Sequence, residues 1–254
     1  MNGWINIYKP KGYTSTYCLN VIKAKFKLKK IGHAGTLDPL AEGVLPIAIG
    51  EATKSIPYLA EAKKNYLFEV FWGEETNTLD SEGTTTKVSE IIPSIEEINK
   101  VLNLFIGQID QVPPKFSAKK INGKRCYDLA RNNEEFELKP QKVIIFNLRV
   151  VSHYANKTSF LVSCGSGTYV RSLARDLAYA LNTFGHASKI LRSRYSHFSK
   201  KNTLTMDFLV KNVEKEDFYK YLLDIRKVLI HIPSIKLEDE RIKLIKNGMK
   251  VSML

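Results

Sequence analysis

At 254 residues, 44% hydrophobic and with a net charge of +13, the chain suits one large domain, or one domain with a small appendage, around a substantial core. No apolar run approaches the roughly 20 residues that a membrane span needs. The alternating start, with Lys9 and Lys11 after the apolar residues instead of before them, does not read as a signal peptide, and a soluble cytoplasmic protein is expected.

In chain order, residues 5–8 read as a short strand ending at the Lys9-Pro10-Lys11-Gly12 turn. Ser15 or Thr16 is placed to cap a helix with Leu19, Ile22 and Phe26 on one face. Residues 32–50 hold four glycines and two prolines and read as an irregular segment, too long and apolar for a passive linker. Residues 65–72 alternate as a strand, with Tyr66, Phe68, Val70 and Trp72 on one face. After a polar, turn-rich stretch at 76–86, Ser94-Ile95-Glu96-Glu97 is a capping-box pattern, and Ile95, Ile98, Leu102 and Phe105 stripe the helix behind it. The β-rich runs 143–151 and 159–163 can pair, and Gly165-Ser166-Gly167 precedes a helix carrying Leu173, Leu177 and Leu181. Beyond about Thr203 the chain is polar and helical, and Asn247-Gly248 stops a last helix at 237–246. Strands and helices mixed without a regular βαβ repeat predict an α+β fold.

The positive charge is clustered. Seven lysines (Lys9, Lys11, Lys23, Lys25, Lys27, Lys29 and Lys30) precede Asp38, the first acidic residue. Lys115, Lys119, Lys120, Lys124, Arg125 and Arg131 form a second basic stretch around Asp128, and Lys189, Arg192, Arg194, Lys200 and Lys201 a third. Such clusters suit phosphate binding with strong salt dependence and point to a nucleic acid, without distinguishing RNA from DNA. Cys18, Cys126 and Cys164 lie too far apart for a zinc site or a disulfide framework, and Cys164 reads as a small core residue.

The most specific stretch is Gly32-His33-Ala34-Gly35-Thr36-Leu37-Asp38-Pro39-Leu40-Ala41-Glu42-Gly43-Val44-Leu45-Pro46. Its glycines permit close backbone approach, and Pro39 biases Asp38 toward an extended conformation. An Asp-Pro step by itself is more often a turn than a catalytic site. Here the carboxylate sits on a stiff apolar loop in a basic field, beside a histidine.

This G-H-x-G-x-L-D-P-L-A-x-G-x-L-P pattern resembles the core motif of the TruB family of tRNA pseudouridine synthases. Lys9-Pro10-Lys11-Gly12 with Ser15, Gly50-Glu51-Ala52-Thr53-Lys54, Lys64-Asn65-Tyr66 and Asp80-Ser81-Glu82-Gly83 resemble further family motifs. So do Gln111-Val112-Pro113-Pro114, Phe116-Ser117-Ala118, Lys120-x-x-Gly123-Lys124-x-x-Tyr127 and Gly165-Ser166-Gly167-Thr168-Tyr169-Val170-Arg171-Ser172-Leu173. The resemblance implies a central mixed β-sheet flanked by helices and loops, crossed by a cleft that holds RNA. It implies isomerisation of the T-loop uridine numbered 55 in tRNA, without cofactor or metal and without an obligatory protein partner, by a monomer.

By the same resemblance Asp38 is the essential aspartate, and Arg171 pairs with it and favours its ionised form. Tyr66 stacks on a flipped base, Tyr169 packs or hydrogen-bonds beside it, and His33 fills the space the base leaves. Leu191 lines the uracil pocket, while Lys9 and Pro10 brace the active-site segment. Read without the resemblance, Arg171 would be a phosphate clamp or a helix-surface charge, Tyr66 and Tyr169 core aromatics, Leu191 a core leucine, and His33 a general acid or base. An insertion at about 111–142 is expected to close over the tRNA, with Lys115, Lys119, Lys120, Lys124 and Arg125 on phosphates. The expected division is a catalytic domain at 1–203 and a short RNA-binding-like segment at 204–254, too short for a complete PUA domain. Two other readings share parts of this pattern: a non-catalytic tRNA-binding chaperone and a guide-RNA-dependent synthase.

Overall fold

In a computed structural model, the structure describes residues 1–59, 62–117, 119–121, 123–132 and 134–251. The strands are β1 (Gly3–Lys9), β2 (Ile31–His33), β3 (Glu42–Ile49), β4 (Lys64–Trp72), β5 (Glu74–Thr76), β6 (Thr85–Val88), β7 (Gly107–Gln111), β8 (Lys120–Ile121), β9 (Lys124–Arg125), β10 (Gln141–Tyr154), β11 (Lys157–Cys164), β12 (Gly185–Tyr195), β13 (Phe198–Ser199) and β14 (Leu204–Thr205). The helices are α1 (Ser15–Lys25), α2 (Ile95–Val101), α3 (Cys126–Arg131), α4 (Val170–Ala180), α5 (Met206–Asn212), α6 (Ile225–Val228) and α7 (Asp239–Lys246). The main sheet runs β14-β1-β3-β12-β4-β11-β10-β7, with β2 added to β3 and β13 to β12. It is mixed, because β1 pairs β14 and β3 pairs β12 in parallel while its other neighbours are antiparallel. This is the α+β architecture expected.

The alternation of β4 buries Tyr66, Phe68, Val70 and Trp72 on one face, where α4 brings Leu173 and Leu177 and α2 brings Ile98 into the same cluster. Apolar side chains on one face of each element drive this packing, each fully buried one stabilising by roughly 1.5–3 kcal/mol. The Ser94–Glu97 capping box forms at the start of α2, its two hydrogen bonds measuring 2.8 and 3.2 Å. The β10–β11 hairpin forms as the two β-rich runs suggest.

Three expectations change. Thr14, not Ser15 or Thr16, caps α1: its hydroxyl accepts from the Tyr17 amide at 3.0 Å. Ser15 is buried and holds both the N–H and the C=O of Leu37. Much of 32–50 is not irregular, because β3 runs between β1 and β12 despite Pro46, which sits opposite Asn6 in the ladder and whose carbonyl accepts from the Ala34 amide. The division expected at 203–204 falls inside a packed body. Leu204 pairs with Ile7, and Met206, Leu209, Val213 and Phe218 share a core cluster with Ile5, Ile7 and Ile22. Those apolar residues are spaced through a polar run and become a face only once folded. Past Leu229 the chain is mostly exposed and α7 buries no residue. Among the described residues no helix is long and apolar enough to cross a membrane.

Candidate active site

A cleft of about 250 Å³ opens where the 35–41 loop meets β4, β12 and the start of α4. Its walls include Asp38, Lys64, Tyr66, Tyr169, Arg171, Ile190 and Arg192.

The loop bearing Asp38 is held from three sides. Ser15 pins Leu37, the Asp38 carbonyl accepts from the Ala41 amide at 3.1 Å, and the Gly12 amide donates to the Pro39 carbonyl at 2.8 Å. Lys9 supplies the third brace. Its ammonium is buried at the end of β1 and donates to the carbonyls of Pro10 at 3.0 Å, of Tyr13, and of Pro39 at 3.3 Å. Burial lowers its pKa from the ordinary 10.5 to about 8, against the attraction of Cys18 and Asp38. Pro10 thus lies within this brace and is no part of the cleft wall.

Arg171, in the first turn of α4, faces two carboxylates. Nη2 lies 2.8 Å from Asp38 Oδ2, and Nη1 lies 3.4 Å from Asp80 Oδ2. The same two nitrogens donate to the carbonyls of Phe116 at 2.9 Å and Thr78 at 2.8 Å. The side chains of Arg171 and Asp80 are only 4% and 5% exposed, whereas that of Asp38 is 38% exposed. A rigid, permanently charged guanidinium therefore holds one oxygen of the open carboxylate while its other end is anchored in the interior. Asp80 is fixed in turn by Thr78 Oγ1 at 2.6 Å and the Glu82 amide at 3.1 Å. Gln111, fully buried, accepts from the Tyr169 amide at 2.8 Å and so satisfies one free donor at the start of α4.

Tyr66 rises from β4 into the cleft, nearly buried, and burial raises its pKa. Tyr169 lines the cleft at the N-cap of α4, half-buried, with its pKa also raised by burial. His33 lies in β2 outside the cleft wall. Burial, then the nearby Arg192, lower its pKa, which favours a neutral ring. The expectation for Leu191 changes. Alternation on β12 puts Ile190 and Arg192 in the cleft, while the Leu191 side chain lies against Gly43, away from the pocket. Gly43 has φ +107°, and a Cβ there would stand 2.3 Å from the Arg192 carbonyl, so this close crossing of β3 and β12 requires glycine.

The basic stretch forms a β8–β9 hairpin followed by α3. Lys119 Nζ donates to Gln141 Oε1 at 3.3 Å, and Gln141 Nε2 donates to the carbonyl of Gly167 on the cleft rim at 2.8 Å. Lys120 and Lys124 are exposed, Lys124 lying 3.4 Å from Glu134, and Lys115 is exposed on the preceding turn. Arg125 belongs to β9, and its side chain lies outside the described residues. The structure thus gathers Asp38, Tyr66, Tyr169 and Arg171 at one cleft, with Lys9 and Pro10 behind its loop. Asp80, Gln111 and Arg192 join them without having been singled out by sequence. Asp80 and Gln111 stand in motifs that suggest no role for either, and Arg192 reads in the sequence only as one more basic residue.

The TruB family pseudouridylate synthase (N terminal domain) profile matches residues 23–170. A tRNA pseudouridine synthase B of Caulobacter vibrioides is 43% identical over 255 residues, covering 100% of this chain and 82% of the relative. That of Ehrlichia ruminantium is 45% identical over 258 residues, covering 100% of this chain and 87% of the relative. Among solved structures, a Cbf5–Nop10–Gar1 complex matches with a TM-score of 0.71 and 28% identity, over 97% of this chain and 67% of the matched one. An H/ACA RNP bound to a substrate RNA containing 2′-deoxyuridine matches with a TM-score of 0.73 and 25% identity, over 98% of this chain and 67% of the matched one.

Proposed function

The chain belongs to the TruB family of pseudouridylate synthases, and from that premise we propose that it is a tRNA pseudouridine synthase, converting the T-loop uridine at position 55 to pseudouridine. The observation that carries the reading is the Asp38–Arg171 contact at 2.8 Å on the floor of an open cleft in a basic surface. The uridine must leave the stacked T-loop to reach that carboxylate, and Tyr66 offers a ring on which the extruded base can stack. Arg171 occupies Oδ2 of Asp38 and leaves Oδ1 for the sugar or base. Tyr169 packs beside the nucleotide. The bond between N1 and the ribose breaks, the base turns, and C5 takes the place of N1, giving up its proton to solvent while N1 takes one up.

Reading the chain as a tRNA enzyme that works alone in the cytoplasm draws on the higher identity of the curated synthases than of the multiprotein complexes. A chaperone without catalysis would have no use for a buried arginine aimed at an exposed carboxylate. The exposed chain after Leu229, with Arg241, Lys243 and Lys246 on α7, would add RNA contacts. Incubating the protein with an unmodified tRNA transcript and mapping pseudouridine by carbodiimide-dependent primer extension tests the reading. One stop, at the T-loop uridine, is expected; a transcript left unmodified would refute it.

Two further outcomes follow from the flanks of the cleft. The lysines on and beside the hairpin are proposed to neutralise phosphates. Lys119→Gln with Lys124→Gln should therefore weaken tRNA binding and reduce the slope of log K against log salt by roughly 1 for each phosphate no longer neutralised. An unchanged slope would remove the hairpin from the interface.

Lys9 gives a pH signature. Its folded pKa of about 8 lies below the ordinary 10.5, so between those values the unfolded chain holds more protons and this group's contribution to stability rises with pH. The deprotonated amine has one donor fewer for the carbonyls of Pro10, Tyr13 and Pro39, and the loop loosens. Activity is therefore expected to decline above about pH 8 with no matching fall in melting temperature ascribable to Lys9. A rate profile that stays flat well above that pH would contradict the bracing role.

A further inference from the structure

Arg192 is a buried cation at the cleft with no carboxylate beside it among the described residues. It is 1% exposed. Its Nε donates to the Val44 carbonyl at 2.8 Å and Nη2 to the Gly35 carbonyl at 2.9 Å, while the guanidinium carbon lies 5.1 Å from the centre of the Tyr195 ring. These contacts fix the group's position and leave its charge uncompensated. A buried charge without a counter-ion is costly, so its retention at a reaction site calls for an anion that appears during the reaction.

The geometry points to where that anion forms. Arg192 is the cross-strand partner of Tyr66 on β4 and both side chains line the cleft; burial raises the pKa of the Tyr66 hydroxyl, and the neighbouring Arg192 charge pulls it down. A guanidinium can only donate, so the phenolic proton stays available to an acceptor at the edge of the ring. When the N1–C1′ bond breaks, its electron pair goes to the base, which becomes a uracil anion with charge on N1, O2 and O4. When C5 bonds to C1′ the charge is neutralised, and the isomerisation is completed as C5 gives up its proton and N1 takes one up. We propose that Arg192 is a positioning residue that holds a positive charge behind Tyr66 and, through the Tyr66 hydroxyl, stabilises the uracil anion of the bond-breaking step.

This rests on the pseudouridine synthase reading. It implies that a base better able to carry negative charge needs Arg192 less. The test compares wild type, Arg192→Gln and Arg192→Lys in single turnover on tRNA carrying uridine or the more acidic 5-fluorouridine at the target. Nucleoside analysis follows loss of the starting nucleoside. With uridine, Arg192→Gln should be slowed on the order of 10²-fold, as for removal of one preorganised electrostatic group. With 5-fluorouridine the loss should shrink to about a tenth of that, and Arg192→Lys, which keeps the charge, should fall between. Equal losses on the two substrates, or no loss, would overturn the proposal, since a merely structural role slows both alike. If Arg192→Gln does not fold, the ratio for Arg192→Lys decides. A wild-type protein that leaves uridine untouched would refute the synthase reading itself; an active wild type with equal losses refutes only the role of Arg192.

Discussion

Arg171→Met is expected to damage both stability and catalysis. In the native protein the guanidinium bridges Asp80, nearly buried, and Asp38, more than a third exposed, and it also satisfies the carbonyls of Thr78 and Phe116. Removing it strands the Asp80 carboxylate in the interior, a loss on the order of 3–5 kcal/mol when one member of a buried pair is deleted. The Asp38 side contributes less to that sum, because water screens it. Asp38 would lose the contact that orients it, so the turnover rate should fall by about 10²-fold or more, as when a group that positions the reacting atom is removed. Urea melts give the first number and single-turnover assays on the folded fraction give the second. Pairing Arg171→Met with Asp80→Asn, which removes the stranded charge, should recover part of the stability and none of the rate. Equal recovery of both would mean that Arg171 matters only as scaffolding.

Asp38→Asn is expected to separate binding from chemistry. The amide has nearly the shape of the carboxylate, the Asp38 side chain is more than a third exposed, and its loop is held by contacts from Ser15, Lys9 and Gly12 to its backbone that the substitution leaves alone. Stability and tRNA affinity should therefore change little. The single-turnover rate should fall by at least about 10³-fold, since an amide can neither take a proton nor form the bond an ionised carboxylate makes. A filter-binding titration beside the rate measurement checks both halves. Weakened binding with a normal rate on saturating tRNA would make Asp38 an RNA contact instead of the reacting group.

Much of this architecture is legible in local patterns. Alternation marks the buried face of β4, the Ser94–Glu97 capping box marks the start of α2, and leucines at spacing four mark the face of α4. What stays hidden depends on partners distant in sequence. β3 carries Gly43 and Pro46, which weaken any local strand signal, and becomes a strand because β1 and β12 flank it. Thr14, Ser15 and Thr16 are all chemically able to cap α1; the choice follows from Leu37, which engages Ser15 from 22 residues away. In the site, Asp38 and Arg171 are legible through their motifs. Asp80 stands in a motif too, but its link to Arg171 spans 91 positions, and nothing local marks it. Leu191 and Arg192 show the same limit at one-residue scale: the face each occupies follows from β12 pairing with β4, bulges included.

The most direct measurement is tritium release from tRNA labelled at C5 of uridine, run side by side with wild type and Asp38→Asn. Exchange of N1 for C5 at the ribose must expel the C5 proton, so wild type should release one equivalent of tritium per tRNA and the variant essentially none. Release at equal rates from both, or from neither, would contradict an Asp38-dependent isomerisation.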